Sequence, residues 1–535
     1  MNHQSTGLAN VGSENANKNS AHQHNLDNRR RAGCLLHITS LPPHDVHKRS
    51  LNRSGNLGDQ AHAFLRWIAE AGFTVWQMLP LGPVNQSRSP YQTYSSFAGD
   101  PALIDLDSLF DSSWLKGALE EQEESFETFR SYDQLTLLRF AAKAFYHALK
   151  TNELLRSKFD SFRQDKAYWL EDYCRYRAFK TSFNDAAWNT WPGPIRSYDK
   201  RACDELAKTL AGEIAEQRFL QFVFYQQIAA LRSAARELNV SLFGDIPIFV
   251  AFDSADVWAN QSCFKLDQDG QMSVEAGVPP DYFSETGQHW GNPHYDWEAL
   301  AKDGYRWWLE RLAIHLETFD IVRIDHFRGF DAVWEIPQGS RDATKGKWQS
   351  VPGEDFLRAV KKHFAHLPLV AENLGLITES VEALRKQYDL PGMVVLQFAF
   401  DGNPQNPHLL HNHERSAVCY TGTHDNDTLK GWLASLQFEE LKQIKDYLSN
   451  PCDPLDWALM KHALSSTSRM CIIPMQDILG CGAGSRMNTP GTAEGNWGWQ
   501  FDWAMVGESL AADIHWQLAF YDRLGLDLEL YADSV

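Results

Sequence analysis

Short apolar runs of strand type alternate with helical-period stretches along most of this chain, and several of the runs end on an acidic residue. Strand, helix and strand in succession is the pattern of a parallel sheet, whose neighbouring strands need a long crossover between them. The runs lie at 32–38, 73–80, 240–248, within 319–330, and at 367–371, 393–398, 417–421 and 469–475. Eight such runs predict an α/β fold, a (β/α)8 barrel of the TIM type. A length of 535 residues would ordinarily suggest several domains, but barrels with insertions run this long as one unit. The expected organisation is a polar, disordered tail over 1–30 and an interrupted catalytic barrel over 31–535. Helical insertions are expected at about 103–236 and 436–465, and a long active-site loop at about 251–297.

The stretch Phe319-Asp320-Ile321-Val322-Arg323-Ile324-Asp325-His326-Phe327-Arg328-Gly329-Phe330 carries the sharpest chemistry. Side chains alternate faces along a strand, so Arg323 and Asp325 project to the same side. An arginine beside an aspartate keeps that carboxylate ionised. Active sites of parallel barrels are built at the C-terminal ends of the strands, which is where Asp325 falls. Asp245, Glu372 and Asp425 stand at the ends of other runs, so that Asp325, Glu372 and Asp425 follow the fourth, fifth and seventh strands. Carboxylates on neighbouring strand ends converge on one pocket, where a gap of about 6.5 to 9.5 Å suits inversion through a water and a pair roughly 5 Å apart suits double displacement at a glycosidic bond. In that chemistry Asp325 is the nucleophile. Glu372, preceded by an apolar strand, is the proton donor whose pKa burial would raise. His424 and Asp425 would hold sugar hydroxyls and stabilise the transition state. A structural Arg–Asp staple inside a barrel, or a divalent metal held by the same acids, gives the same sequence pattern.

Two long segments lack either period. One, Ser89-Pro90-Tyr91-Gln92 with the polar and aromatic residues after it, follows the second strand. The other, 278–293, holds Asp281, Tyr282, Phe283, Gln288 and Trp290. Long loops of this kind inside a compact domain tend to be substrate loops or lids. Aromatic residues make up 12% of the chain, including 19 Trp, which fits a site that stacks the flat faces of sugar rings. A net charge of −19 argues against nucleic acid or an anionic membrane as partner and favours a neutral substrate. The eight cysteines are scattered, several within apolar runs, and read as buried thiols of a reducing compartment and not as a zinc site. No run approaches the roughly 18 apolar residues of a membrane span, and no secretory leader is evident. A cytoplasmic protein is expected.

The motifs Ser89-Pro90-Tyr91-Gln92, Gly244-Asp245-Ile246-Pro247, Arg323-Ile324-Asp325-His326, Ala371-Glu372-Asn373-Leu374-Gly375, Thr423-His424-Asp425-Asn426 and Asn488-Thr489-Pro490-Gly491-Thr492 carry a resemblance. The chain resembles the 4-α-glucanotransferases, the amylomaltases or disproportionating enzymes of glycoside hydrolase family 77, in the α-amylase-like barrel clan. The likeness runs from Arg31 to Gln500 and beyond. It implies a retaining transfer of α-1,4-glucan segments from maltooligosaccharides or starch- and glycogen-derived chains, with no cofactor and no metal. By resemblance Asp325 is the nucleophile, Glu372 the acid/base and Asp425 the transition-state stabiliser. Tyr91, Asp245, Arg323 and His424 match positions that grip the donor glucose. Asp281, Tyr282, Phe283, Gln288 and Trp290 match the loop on the acceptor side, and Asn496 matches a further sugar contact. Two positions depart from the family pattern, Asn56 where an acid is usual and Gln500 where an arginine is usual. A glucan hydrolase of the same clan and a catalytically silent glucan-binding barrel are the competing readings.

Overall fold

The computed structural model describes residues 29–44, 50–121, 125–280 and 285–525. Eight parallel strands form its centre: Arg31–Leu35, Val75–Gln77, Ser241–Ile246, Ile321–Ile324, Leu369–Ala371, Gly392–Val395, Ala417–Tyr420 and Met470–Pro474. Each pairs with the next in this set except the fifth with the sixth, and the first also pairs with the eighth, so the sheet curls into a (β/α)8 barrel.

The strands' two-residue period separates two apolar layers. Leu35, Val75, Phe243, Ile321, Val370, Met393, Val395, Val418, Tyr420 and Ile472 fill the lumen. Their neighbours Cys34, Leu242, Val322, Ala371, Val394, Cys419 and Cys471 face the surrounding helices. Tyr420 finds a partner for its hydroxyl inside the lumen, donating to Gln77 Oε1 at 3.0 Å. Among the described residues every cysteine is a free thiol, and all but Cys452 are buried.

The ring has one seam. No ladder joins the fifth strand to the sixth; Ala371 N donates to Pro391 O at 2.8 Å, and the next link is a side chain. Asn373 Oδ1 accepts from Met393 N at 2.7 Å while its Nδ2 donates to Glu382 Oε1 at 2.7 Å. The approach is so close that a Cβ on Gly392 would lie 2.9 Å from the Asn373 amide, which explains the glycine.

Between the second and third strands the chain is helical, from Leu106–Asp111 to the long helix Ala211–Glu237. Side-chain caps start several of these helices: Asp105, Ser125, Asp133, Asn152 and Asp199 each accept from a backbone N–H of the first turn. Phe145 joins their apolar faces, meeting Trp114, Phe159, Phe219 and Phe222. Near the C-terminus the stretch expected to be helical over 436–465 is two helices, Phe438–Tyr447 and Leu455–Ser465, separated where Pro451 and Pro454 interrupt the backbone donors.

The stretch 251–297, read from sequence as a loop, contains regular structure. It holds the helix Ala255–Ala259 and the strands Val274–Val278 and Gln288–Pro293. These strands join Ala332–Pro337 and Lys347–Ser350 in a separate antiparallel sheet. Val274–Val278 sits between Gln288–Pro293 and Ala332–Pro337, and the second of these partners lies about sixty residues downstream, beyond the reach of local periodicity. The sixth barrel strand is likewise shorter than expected, ending at Val395 opposite Tyr420 before a 3-10 turn, Leu396–Phe398. Among the described residues no helix is long and apolar enough to cross a membrane.

Two buried acids outside the barrel mouth make stability depend on pH. Burial pushes Asp256, whose carboxylate accepts from Ser96 N at 2.7 Å, up to about 7, and Asp477 up to about 6. The folded chain therefore keeps protons that the unfolded chain releases near pH 4. Stability falls as pH rises from about 4 towards 7, by about 1.4 kcal/mol per unit for each such group. The protein should melt at a higher temperature at about pH 5.5 than at about pH 8, and Asp256→Asn should flatten that difference. Equal slopes in the two proteins would remove Asp256 from the explanation.

Candidate active site

The third and fourth strands place Asp245 and Arg323 directly opposite each other in the ladder. Both sit on lumen-facing positions, two residues beyond Phe243 and Ile321, so alternation and register together force the pair. Arg323 Nη1 donates to Asp245 Oδ2 at 2.7 Å and its Nη2 to Asp325 Oδ1 at 2.8 Å. Arg323 is buried, whereas Asp325 keeps 30% of its side chain open to the barrel mouth. The hydrogen bonds then run on across the mouth. Tyr91 donates its hydroxyl to Asp245 Oδ2 at 2.7 Å and faces His424 Nδ1 at 3.5 Å. The Tyr91 ring stacks on His424 with centroids 5.1 Å apart and planes 18° from parallel. His424 Nε2 lies 3.3 Å from Asp425 Oδ1, and Asn488 Nδ2 donates to that same oxygen at 2.6 Å. One polar chain thus links Asp325, Arg323, Asp245, Tyr91, His424, Asp425 and Asn488.

Glu372 stands beside this chain at the end of the fifth strand. Each of its oxygens accepts a backbone N–H, Oε2 from His326 at 2.7 Å and Oε1 from Leu374 at 2.8 Å. His326 aims its N–H there from a left-handed conformation, φ 53°, that a non-glycine residue seldom adopts. Burial, against Arg323 and the two N–H groups and with some help from the charge of Asp325, raises the Glu372 carboxyl to about 7. Burial also works against the charge on Asp425. His424, Asn488 and Arg323 outweigh it and hold that carboxyl below the usual range. For His424 the balance is reversed, since Asp425 overcomes burial and lifts the imidazole above its ordinary value. With His424 charged, both ring nitrogens donate, which suits the acceptors on either side.

The arrangement holds three acids in three settings: Asp325 tied to an arginine, Glu372 raised to about 7, and Asp425 paired with an imidazole that holds its carboxyl low. The carboxyl groups of Asp325, Asp245, Glu372 and Asp425 gather around Arg323 and His424, and burial pushes the Asp245 carboxyl up. A site rich in carboxyl groups suits a reaction in which positive charge develops. Among the described residues no group of three or more His, Cys, Asp or Glu side chains is placed to hold a metal ion.

The 4-alpha-glucanotransferase family model, glycoside hydrolase family 77, matches residues 36–505, a span that includes every residue of this chain of contacts. The chain belongs to that family. It is 44% identical over 483 residues to the 4-alpha-glucanotransferase of Thermus thermophilus, covering 88% of this chain and 94% of that one. It is 41% identical over 512 residues to the chloroplastic/amyloplastic 4-alpha-glucanotransferase of Solanum tuberosum, covering 93% of this chain and 87% of that one. The amylomaltase from Streptococcus agalactiae, solved in complex with acarbose, superimposes with a TM-score of 0.85 at 32% identity, covering 92% of this chain and 100% of that chain.

Of the positions that the family resemblance singled out, Tyr91, Asp245, Arg323, Asp325, Glu372, His424 and Asp425 are brought together in this glucanotransferase barrel. Trp290 lies against the edge of the His326 ring, 5.0 Å between centroids, and its Nε1 donates to Gln288 Oε1 at 3.0 Å. Asp281, Tyr282 and Phe283 lie outside the described residues. Asn496 is part of the 488–497 loop, where its Oδ1 accepts from Thr489 N at 2.9 Å and its Nδ2 donates to Thr492 O at 3.0 Å. The departures have local partners. Asn56 is buried, accepts from Gly58 N at 2.8 Å and donates to Ser54 O at 3.0 Å, and a carboxylate could not supply that donor. Gln500 donates to Thr39 O at 2.9 Å. Sequence reasoning assigned no part to Asn488, to the backbone of His326, or to Trp497, whose ring lies 6.0 Å from Tyr91 and 5.9 Å from His424. Asn488 stands 63 residues from Asp425, and no spacing rule connects them.

Proposed function

We propose that this chain transfers α-1,4-glucan segments by double displacement, retaining the anomeric configuration. The single observation that supports this best is the continuous polar chain from Asp325 to Asp425 with the raised acid Glu372 beside it. In the first half-reaction an Asp325 oxygen bonds to the anomeric carbon as the glycosidic C–O bond breaks. Glu372 gives its proton to the departing 4-oxygen, and a glucosyl ester remains on Asp325. In the second, the 4-hydroxyl of an acceptor sugar loses its proton to the Glu372 carboxylate, and its oxygen displaces Asp325 from the same carbon. Asp425 stabilises both oxocarbenium-like transition states.

Tyr91, Asp245, Arg323 and His424 grip the donor glucose in this reading. Among the described residues Asp245 Oδ1 is buried without a partner, an acceptor that a sugar hydroxyl would satisfy. Gln288 and Trp290 line the acceptor side in this reading and keep water from the ester, which favours transfer over hydrolysis. Asn496 contributes a further sugar contact at the rim. The substrates are neutral α-glucans, in keeping with the negative net charge, and the buried reduced thiols suit a cytoplasmic location.

Purified protein given maltotriose should produce glucose and a ladder of longer oligosaccharides while the total of reducing ends stays constant. A steady climb in reducing ends would instead identify a hydrolase built on the same acids. Complete inertness toward maltooligosaccharides would leave a binding protein.

A further inference from the structure

The Asp425 carboxylate is held unevenly. His424 Nε2 and Asn488 Nδ2 converge on Oδ1, at 3.3 and 2.6 Å, while the side chain remains 45% exposed towards the mouth. The segment carrying Asn488 grips the same two residues through their backbones. Asn488 N donates to His424 O at 3.1 Å, Arg486 Nη2 donates to Asp425 O at 2.6 Å, and Arg486 Nε donates to Asn488 O at 2.7 Å. Three hydrogen bonds thus tie one short stretch after the eighth strand to His424 and Asp425, and a fourth braces the stretch internally.

We propose that Asn488 is a positioning residue for the transfer reaction, locking the Asp425 carboxylate so that Oδ2 alone is presented to the donor sugar. The inference rests on the reading of Asp425 as transition-state stabiliser. A carboxylate free to rotate would spend part of its time with the wrong edge towards the ring, and near-attack geometry is lost steeply with small displacements. The amide is suited to the task because it donates without adding charge. The charged and titratable groups around Asp425 are His424, Arg323, Arg486 and, through its hydroxyl, Tyr91. None of them can replace a neutral donor on Oδ1 from the side that Asn488 occupies.

The test compares Asn488→Ala, Asn488→Asp and Asp425→Asn with the parent protein on maltotriose, following kcat, KM, pH profile and thermal unfolding. Loss of one hydrogen bond to a charged group predicts kcat lower by roughly 10- to 100-fold in Asn488→Ala. KM should stay within about twofold, because the lost interaction belongs to the transition state. The acid limb of the profile should move to higher pH, since Asp425 loses a donor that favours its charge. Asn488→Asp should recover towards the parent as pH falls, when its protonated carboxyl can donate to Oδ1. Asn488→Ala should not recover in this way. A parent-like kcat and profile in Asn488→Ala, beside an inactive Asp425→Asn, would overturn the inference and leave the role of Asp425 standing. Loss of activity without the pH signatures would assign Asn488 to loop packing and also overturn it. If Asn488→Ala does not fold, the acid recovery of Asn488→Asp decides. An active Asp425→Asn would overturn the reading of Asp425 and the inference with it.

Discussion

Replacing Asp325 with asparagine should give a folded protein whose turnover on maltotriose is lower on the order of 10⁴-fold or more. The expectation of an intact fold is local. Arg323 keeps its contact with Asp245, in register on the neighbouring strand, and the asparagine carbonyl can still accept from Nη2. What the amide lacks is the electron pair of a charged oxygen, and the other acids of the polar chain are held by partners of their own. Asp245 is buried beneath Arg323, and Asp425 is turned towards His424 and Asn488. Digestion of the parent enzyme quenched during turnover should yield a glucosylated peptide containing Asp325. The sugar found on any other residue, or near-normal turnover by Asp325→Asn, would sink the assignment.

Glu372→Gln should divide substrates by their leaving groups. On maltooligosaccharides, whose departing 4-oxygen needs a proton, the loss of a general acid predicts a decrease of roughly 10²- to 10⁴-fold. On an α-glucosyl fluoride, whose leaving group departs without one, ester formation should be far less affected. The parent enzyme should show the matching pH signature. Burial raises the Glu372 carboxyl to about 7, so the proton needed for the first half-reaction is present below that value and lost above it. Cleavage of maltotriose at low concentration should therefore decline on the alkaline side of pH 7, and cleavage of the fluoride should not follow the same limb. Equal losses on both substrates would show that Glu372 serves the fold or substrate binding and not proton transfer.

Much of this was legible in the sequence because barrel strands are local objects. The alternation within 240–248 and 319–330 predicts which side chains face the lumen, and the chain order of eight runs predicts the ring. The Asp245–Arg323 pairing needed only the register in addition. Partners recruited across the barrel mouth were not legible. Asn488 meets Asp425, and Tyr91 meets His424 from 333 residues away, through a closure that no window of sequence contains. The same limit hid the strand Val274–Val278, which reads as loop until Ala332–Pro337 supplies its neighbour on one side, and with it Gln288–Pro293, which pairs on the other. The left-handed backbone of His326 is a third case. Its motif was visible, but the N–H that it turns towards Glu372 is a property of conformation and not of residue type.

The seam between the fifth and sixth strands makes one stave of the barrel a hinge post. Glu372 hangs on that stave, and its neighbour Asn373 is the latch, a side chain where every other joint is a backbone ladder. Chemistry and mechanical closure therefore sit on adjacent residues of a single short strand end. A substitution at 373 would be felt as a loose hoop before it was felt as a missing catalyst, although it falls next to the acid in the chain.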